Sequence, residues 1–281
     1  MANIRVVADS GCDLPEDVVT EQHITIVPLT VRFGEEEYAD IGVKEFWEKC
    51  RLSPALPETA APSPGAFATT FRQLAAQGAD GVVCINLSSR LSATIQSAQA
   101  AAREVADVIP VRVVDSLSVS LGQGLQIMAA ARLAEEGRGL DEVADGASAM
   151  VPRMRVFAVL DTLENLKKGG RIGGAQAFLG SMLSIKPVIQ VKEGAVEPES
   201  RQRTRGRSLQ YLAGKIAEAQ KNGDIERLAI MHGDAGDIDQ FVDMVTPVTG
   251  SHRPMVGWVG PVIGAHAGPG VIGVGWQAPG A

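Results

Sequence analysis

Aromatic residues are scarce in this chain of 281 residues, of which Phe, Trp and Tyr together make up only 4%. Few side chains are therefore available on which nucleic acid bases or sugars could stack. Ala, Val, Leu and Ile dominate an apolar share of 45% instead. This aliphatic composition favours helices packed on a sheet and a smooth apolar interior.

Positive charge is also in deficit, because 33 Asp and Glu residues outnumber 26 Lys and Arg residues and give a formal net charge of −7. Nucleic acid binding requires clustered Lys and Arg side chains that neutralise phosphates. We therefore predict that nucleic acid is not a partner. One basic stretch, residues 201–207, departs from this balance and is considered below.

Long hydrophobic runs are missing as well. Gly, Pro or a charged residue interrupts each apolar run before it reaches the roughly 20 residues that a membrane helix needs. The first residues of the sequence do not show the charged segment followed by an apolar segment that is typical of an export signal. Cys12, Cys50 and Cys84 are odd in number and lack the spacing of metal ligands. We predict a cytoplasmic protein with reduced thiols and no transmembrane segment, and we leave transient contact with a membrane surface open.

The length of the chain suits two domains of about 140 residues each. In the first half, strand-like runs such as residues 81–85 and 111–114 alternate with helical patterns such as residues 91–106. This alternation predicts a largely parallel sheet with helices on its faces. Pro152 lies in a break between elements and sets the boundary. The predicted domains are residues 1–152 and residues 153–281.

The second half of the chain has a different pattern of predicted strands and helices from the first half. Residues 185–191 form an extended apolar run that turns at residues 192–194 into another extended run, which is typical of a β-hairpin. Helical patterns at residues 209–220 and 238–245 lie on either side of a further strand-like run. We predict a mixed α/β domain with antiparallel strands, so that the whole chain belongs to the α/β class.

Hydroxyl side chains follow the predicted strand at residues 81–85. Ser89 and Ser92 lie where this strand gives way to a helix, and ligands of open α/β sheets bind beyond the carboxyl ends of strands. Free amides at a helix start, with hydroxyls beside them, can hold an anion. Ordinary N-capping of the helix is the structural alternative. Thr59 lies in a loop that contains several prolines, and its side chain could point into the same crevice beyond the carboxyl ends of the strands.

Two further candidates lie among glycines. His266 stands in a Gly-rich turn, where small neighbours let a ligand or backbone approach closely. Arg171 lies in the run Gly169-Gly170-Arg171-Ile172-Gly173-Gly174, which follows a helix rather than a strand and lacks the spacing of a nucleotide-binding loop. Arg171 could instead act as a planar donor for a carboxylate or a phosphate.

Alternate positions of the basic stretch carry the same residue, namely Arg201, Arg203, Arg205 and Arg207. On one extended strand these side chains would share a face. A solvated strand edge protected by charge is the usual explanation of such a pattern. A partner that carries acidic groups or a phosphate is the alternative.

Four motifs, in their order and spacing, resemble those of the DegV family of bacterial fatty-acid-binding proteins, and the resemblance covers essentially the whole chain. The motifs are Val7-Ala8-Asp9-Ser10, Leu87-Ser88-Ser89-Arg90-Leu91-Ser92, Lys168-Gly169-Gly170-Arg171-Ile172 and His266-Ala267-Gly268-Pro269-Gly270.

The resemblance implies a protein that is not itself an enzyme. Its N-terminal domain would bury the acyl chain of a long-chain fatty acid, and its C-terminal domain would close the carboxylate end. A fatty acid kinase would then phosphorylate the presented carboxylate with ATP, in phospholipid metabolism. No metal or cofactor is implied beyond the bound acid.

The resemblance also implies roles for individual residues. Those implied to bind the carboxylate are Thr59, Ser92, Ser89 and His266. Arg171 is implied to belong to the network around the head group, and Arg203 to contact the kinase. Two neighbours depart from the family pattern, since Ala60 stands where Ser is usual and Ala93 where Gly is usual.

A serine acyl hydrolase that uses Ser92 and His266 is the rival interpretation from a different class. The chain lacks the Gly-x-Ser-x-Gly sequence that places such a nucleophile on a sharp turn. No acidic partner for the histidine can be identified from the sequence either.

Overall fold

Three β-sheets organise this protein in a computed structural model that describes residues 2–53, 55–250 and 253–280, with residues 180–184 described by their backbone. The strands are β1 (Ile4–Asp9), β2 (Thr25–Val27), β3 (Thr30–Phe33), β4 (Glu36–Tyr38), β5 (Glu58–Ala60), β6 (Gly81–Asn86), β7 (Val111–Asp115), β8 (Met154–Val159), β9 (Lys186–Lys192), β10 (Ala195–Gln202), β11 (Arg227–Gly233), β12 (Met255–Trp258) and β13 (Val271–Gln277).

The α-helices are α1 (Glu16–Glu21), α2 (Val43–Leu52), α3 (Pro64–Ala76), α4 (Thr94–Glu104), α5 (Ser120–Glu135), α6 (Leu140–Met150), α7 (Glu164–Lys168), α8 (Arg205–Asn222), α9 (Ile238–Val245) and α10 (Pro261–Ala267). None of the helices in the described ranges is long and apolar enough to cross a membrane.

The first sheet has the strand order β2-β1-β6-β7, and all its pairs are parallel. Side chains alternate between its faces, so Val83 packs with α5 and α6 while Val82 and Cys84 pack with α3 and α4. Both faces of β6 are thus buried, which explains the apolar run from Gly81 to Ile85. The predicted parallel sheet with helices on its faces is confirmed.

The second sheet is mixed and has the order β10-β9-β8-β13-β11-β12, in which only the pair β11–β12 is parallel. Helices α8 and α9 pack on one face. The predicted hairpin is formed by β9 and β10, and Glu193 and Gly194 at its tip have φ angles of 50° and 79°. Positive φ at both positions is the geometry that a two-residue hairpin turn requires.

Helix α5 is shared by the two large sheets. It contacts β1 and β6 of the first sheet and β8, β11 and β13 of the second, and residues 120–127 are all buried. Gly122 makes this close approach possible, because a Cβ atom there would lie 2.4 Å from Cγ2 of Val156 on β8. The domain boundary near Pro152 stays a prediction, although every strand of the second sheet follows it.

The third sheet is small and antiparallel, with the order β4-β3-β5. It contains Thr59, which pairs with Val31 and thus lies on a strand rather than in a loop. Helix α2 was not predicted from the sequence. Its Trp47 is fully buried and donates a hydrogen bond from Nε1 to the carbonyl of Val259, 3.0 Å away, which fixes the chain just before α10.

Predictions of local structure were also wrong at the start of α4 and in the arginine stretch. The helix expected at residues 91–106 begins at Thr94, its N-cap is Ala93, and Ser92 instead accepts a hydrogen bond from the backbone N–H of Thr94. The arginine stretch does not form one strand face, because β10 ends at Gln202 and α8 begins two residues after Arg203. The side chain of Thr204 caps α8, and this cap redirects the chain.

Candidate functional site

One face of the second sheet, together with segments that follow strands of the first sheet, encloses a cavity of about 190 Å³ that is mostly apolar. The first half of the chain contributes Leu29, Leu87 and Val119 to its wall, and the second half contributes Ile189 and Met231 among others. The cavity therefore lies between the halves. The expectation that the N-terminal domain buries the acyl chain while the C-terminal domain closes the carboxylate end stays a prediction.

The floor of the cavity is one face of the second sheet. Ala158 on β8 lies directly opposite Gly273 on β13, and both line the cavity. A Cβ atom at Gly273 would lie 2.9 Å from Cγ of Met231, so glycine at this position leaves room for the methionine side chain, which also lines the cavity. The sequence signal for this floor is the spacing of Gly273 and Gly275, since glycines two residues apart in a strand lie on the same face.

Polar residues from four separate segments meet at one end of the cavity. They are Thr59 on β5, Ser92 before α4, Arg171 after α7 and His266 on α10. Thr59 Oγ1 lies 2.9 Å from His266 Nε2, at hydrogen-bonding distance across 207 positions of the chain. Four of the predicted site residues are therefore brought together by the fold.

Arg171 is the cation of this polar end. Its Nε donates to the carbonyl of Leu91 at 3.0 Å, and its Nη1 donates to the carbonyl of Gly169 at 2.6 Å. A guanidinium has five N–H donors, so these two bonds leave others available. Among the residues that the structure describes, no carboxylate side chain forms an ion pair with Arg171. A half-buried cation beside an apolar cavity favours an anionic ligand.

His266 is neutral in this setting. Burial, and secondly the positive charge of Arg171, lower the pKa of His266 to about 4. Its Nδ1 is buried without a hydrogen-bond partner and packs against Gly169, where a Cβ atom would lie 2.3 Å from it. The residue lies in the last turn of α10 rather than in a Gly-rich turn as expected.

The serines of residues 88–92 have different surroundings. Ser92 lines the cavity, and its Oγ lies 2.9 Å from Oγ1 of Thr94. Ser89 is not among the lining residues, and its backbone N–H donates to Asp115 Oδ1. Ser88 donates from Oγ to the carbonyl of Gly194 at 2.6 Å, which ties the β9–β10 turn to the first half of the chain.

The arginines of residues 201–207 lie apart from the cavity lining. Arg203 is exposed in the bend between β10 and α8. Arg201 lies over the ring of Phe178, with 4.8 Å between its Cζ and the ring centroid. Arg205 makes two hydrogen bonds of 2.8 and 2.9 Å to the carboxylate of Asp237. Arg205 is thus engaged within the fold, whereas Arg203 faces solvent.

The positions of Ser92 and His266 do not match the catalytic geometry of a serine hydrolase. In the described part of the chain no hydrogen bond joins Ser92 to His266, and Nδ1 of His266 has no carboxylate to orient it. A catalytic serine requires a histidine base within hydrogen-bonding reach and a group that orients that histidine.

Within the described ranges, no group of three or more His, Cys, Asp or Glu residues could hold a metal ion.

Comparison with known protein families identifies the family of this chain. The family model described as "Uncharacterised protein, DegV family" matches residues 3–278. The chain therefore belongs to the DegV family, as its motifs predicted. A DegV domain-containing protein of Streptomyces coelicolor is 37% identical over 280 residues, which cover 97% of each chain. A relative from Deinococcus radiodurans is 34% identical over 281 residues, again with 97% of each chain covered.

Solved structures of DegV proteins have the same fold. A Thermus thermophilus protein, described as a DegV family protein with fatty acid binding, is 34% identical and superposes with a TM-score of 0.90 over 99% of this chain and 100% of its own. A Bacillus subtilis protein described as DegV, a fatty acid binding protein, is 30% identical with the same TM-score and coverage. A stearic-acid-binding protein of Eubacterium ventriosum is 29% identical, with a TM-score of 0.87 over 99% and 98% of the two chains.

The neutral state of His266 is directly testable. We expect the imidazole of the ligand-free protein to titrate near pH 4, because burial and Arg171 both oppose its protonation. An unfolded histidine takes up its proton near pH 6.5. The contribution of neutral His266 to the free energy of unfolding should thus decrease as the pH falls from 6.5 towards 4. NMR titration of the histidine ring signals measures the pKa.

The Arg171→Gln variant separates the effect of the Arg171 charge on the pKa of His266 from the effect of burial. Loss of the positive charge should raise the pKa of His266, while burial should keep it below 6.5. A wild-type His266 pKa at or above 6.5 would contradict the described electrostatics.

Proposed function

We propose that this protein binds a free long-chain fatty acid, with the carboxylate at Arg171 and the acyl chain in the cavity above the second sheet. The observation that carries this proposal is the half-buried guanidinium of Arg171, which lines an apolar cavity and has donors to spare. An amphipathic acid matches both parts of the site. Fatty acid binding by solved DegV relatives supports the same conclusion.

Hydroxyls and an imidazole complete the carboxylate site in this proposal. A carboxylate taken out of water must be hydrogen-bonded or paired, and a charge-assisted hydrogen bond is about twice as strong as a neutral one. Thr59, Ser92 and His266 line the same end of the cavity as Arg171 and can donate or share protons with such a ligand. Ser89, which does not line the cavity, is no longer proposed as a ligand.

The apolar wall would provide most of the affinity. Burying a methylene group contributes about 0.8 kcal/mol, so a tail of ordinary length contributes on the order of 10 kcal/mol before the costs of association. The head group then fixes which end of the molecule lies at Arg171. The departures at Ala60 and Ala93 remove no proposed ligand, although Ala93 lines the cavity beside Ser92.

We further propose that the bound acid is presented to a fatty acid kinase. A carboxylate oxygen would attack the γ-phosphorus of ATP, with release of ADP and formation of an acyl phosphate. In this scheme Arg203 contacts the kinase or the transferring phosphate, because guanidinium groups bind phosphate and carboxylate oxygens in a bidentate manner. Its exposure in the bend after β10 supports a partner contact. The protein itself would not catalyse the transfer.

We place this activity in the cytoplasm. Cys12 and Cys84 are buried and Cys50 is half-buried, and all three are free thiols. Burial raises the pKa of each thiol, and raises that of Cys50 to about 12, so the thiols stay protonated and unreactive. Free thiols of this kind are typical of a reducing compartment.

Ser92→Ala tests the carboxylate site. We expect it to weaken binding of hexadecanoic acid about tenfold or more, because a hydrogen bond to a charged group contributes about 1.5–3 kcal/mol. Hexadecanol should bind much more weakly than the acid to the wild-type protein. Competition with a fluorescent fatty acid measures both affinities, and thermal melts show whether the variant is folded.

Ser89→Ala is the matched control, since this serine belongs to the same motif but does not line the cavity. Its affinity should stay within about twofold of wild type. Equal affinity for acid and alcohol would contradict a carboxylate site, and equal effects of the two serine substitutions would remove Ser92 from it.

Arg203→Glu tests presentation separately from binding. We expect fatty acid affinity to stay near the wild-type value while acyl phosphate formation with a fatty acid kinase and ATP falls at least tenfold, since charge reversal repels a partner as well as removing a contact. Arg171→Ala should reduce both quantities. Ligand titration and ADP release, measured on the same preparations, distinguish the two effects.

Arg103→Glu serves as the control for the change of charge, because Arg103 is likewise exposed but lies at the end of α4. It should leave both binding and ADP release near wild type. Unchanged ADP release with Arg203→Glu would identify Arg203 as a solvated surface residue.

A further inference from the structure

One buried carboxyl group has no part in the proposed carboxylate site. Asp9 is the last residue of β1 and belongs to the first of the four family motifs. Its side chain is fully buried, and it does not line the cavity. A buried carboxyl group is unfavourable unless hydrogen-bond donors surround it. One donor to Asp9 belongs to the segment that leads to Ser92.

Both carboxylate oxygens of Asp9 accept hydrogen bonds. Oδ1 accepts from the backbone N–H of Gly11 at 3.0 Å. Oδ2 accepts from the backbone N–H of Leu87 at 2.8 Å and from Nδ2 of Asn86 at 3.0 Å. Asp9 and Asn86 end the parallel neighbours β1 and β6, so this carboxyl group fixes the first residue after β6 relative to the end of β1.

Residues 87–92 connect this carboxyl group to the cavity. The carbonyl of Ser88 accepts from the backbone N–H of Leu91 at 3.0 Å and from that of Ser92 at 3.1 Å. These two bonds close a turn, so the end of the segment cannot shift independently of its beginning. Ser92 lines the cavity, and the location of its hydroxyl thus depends on where Leu87 is held.

Arg171 is held by the same segment. Its Nε donates to the carbonyl of Leu91 at 3.0 Å, whereas its Nη1 donates to the carbonyl of Gly169, which lies in its own loop. The bond to Leu91 therefore orients the guanidinium relative to the rest of the cavity wall. A displacement of the turn would change the direction in which the guanidinium points.

We propose that Asp9 is a positioning residue of the carboxylate site. It holds Leu87, and through the turn that follows it sets the direction of the Arg171 guanidinium. This inference rests on the proposed fatty acid binding. Asp9 does not contact the ligand in this scheme. Its contribution is preorganisation, because a donor that already points at the site of the anion loses less conformational entropy when the anion binds.

Asp115 provides a matched comparison, because it holds the same segment from the other side of β6. It is the last residue of β7, and its Oδ1 accepts from the backbone N–H groups of Ser89 and Leu117 at 3.2 and 3.0 Å. The Asp115→Asn variant can keep both bonds, since an amide oxygen has two lone pairs. At Asp9 both oxygens accept, so the NH2 group of the Asp9→Asn variant must face an N–H donor.

Asp9→Asn tests the positioning role. We expect its affinity for hexadecanoic acid to fall about fivefold or more, since the loss of a buried hydrogen bond lets the turn shift. The pKa of His266 in the ligand-free protein should rise, because a displaced Arg171 guanidinium opposes protonation of the imidazole less strongly. Asp115→Asn should leave the affinity within about twofold of wild type and the pKa unchanged, because both of its bonds remain. Competition with a fluorescent fatty acid and NMR titration measure the two quantities.

Val7→Ala controls for a general loss of stability. Val7 lies on the same strand as Asp9, is fully buried and packs with Phe67 and Phe71. Truncation there leaves a space in the core and should lower the melting temperature. In the folded variant the affinity and the pKa of His266 should both stay at the wild-type values, because the hydrogen bonds of Asp9 remain.

Two results would overturn the inference. Asp9→Ser, a smaller side chain with one acceptor, should reproduce both changes and replaces Asp9→Asn if that variant does not fold. Wild-type affinity and a wild-type His266 pKa in the folded variant would show that the turn does not depend on Asp9. Equal changes in Val7→Ala would show that Asp9 only stabilises the first sheet. Failure of the proposed function is distinguishable, since a wild-type protein that binds no hexadecanoic acid still reports the position of Arg171 through the pKa of His266.

Discussion

The guanidinium of Arg171 is the feature on which the rest of this site depends. A cation at the edge of an apolar cavity is unfavourable unless its donors are hydrogen-bonded and an anion neutralises its charge. Two backbone carbonyls, of Leu91 and Gly169, provide the first requirement. The same charge helps to keep His266 neutral, so that the imidazole can share a proton with Thr59 rather than compete for an anion as a second cation.

Small residues shape the region where α5 meets the second sheet. Gly122 lets α5 pack closely against Val156, and Gly273 leaves room for the side chain of Met231. The residues that line the cavity are mostly aliphatic, which agrees with the low aromatic content.

Local patterns in the sequence predicted the parallel sheet, the hairpin and α9, because alternation and turn residues report backbone geometry directly. They did not predict that Thr59 would meet His266, since no local signal links residues 207 positions apart. Only the family resemblance implied that both residues belong to one site. The arginine stretch was misassigned because alternation suggested a strand, whereas the cap at Thr204 starts a helix.

Native mass spectrometry of the protein purified from cells tests the central claim most directly. The account predicts one free fatty acid bound per wild-type chain, released as the intact acid on denaturation, and a strongly reduced occupancy in the folded Arg171→Ala variant. A wild-type protein that stays free of ligand even after addition of hexadecanoic acid, or equal occupancy in the variant, would contradict it.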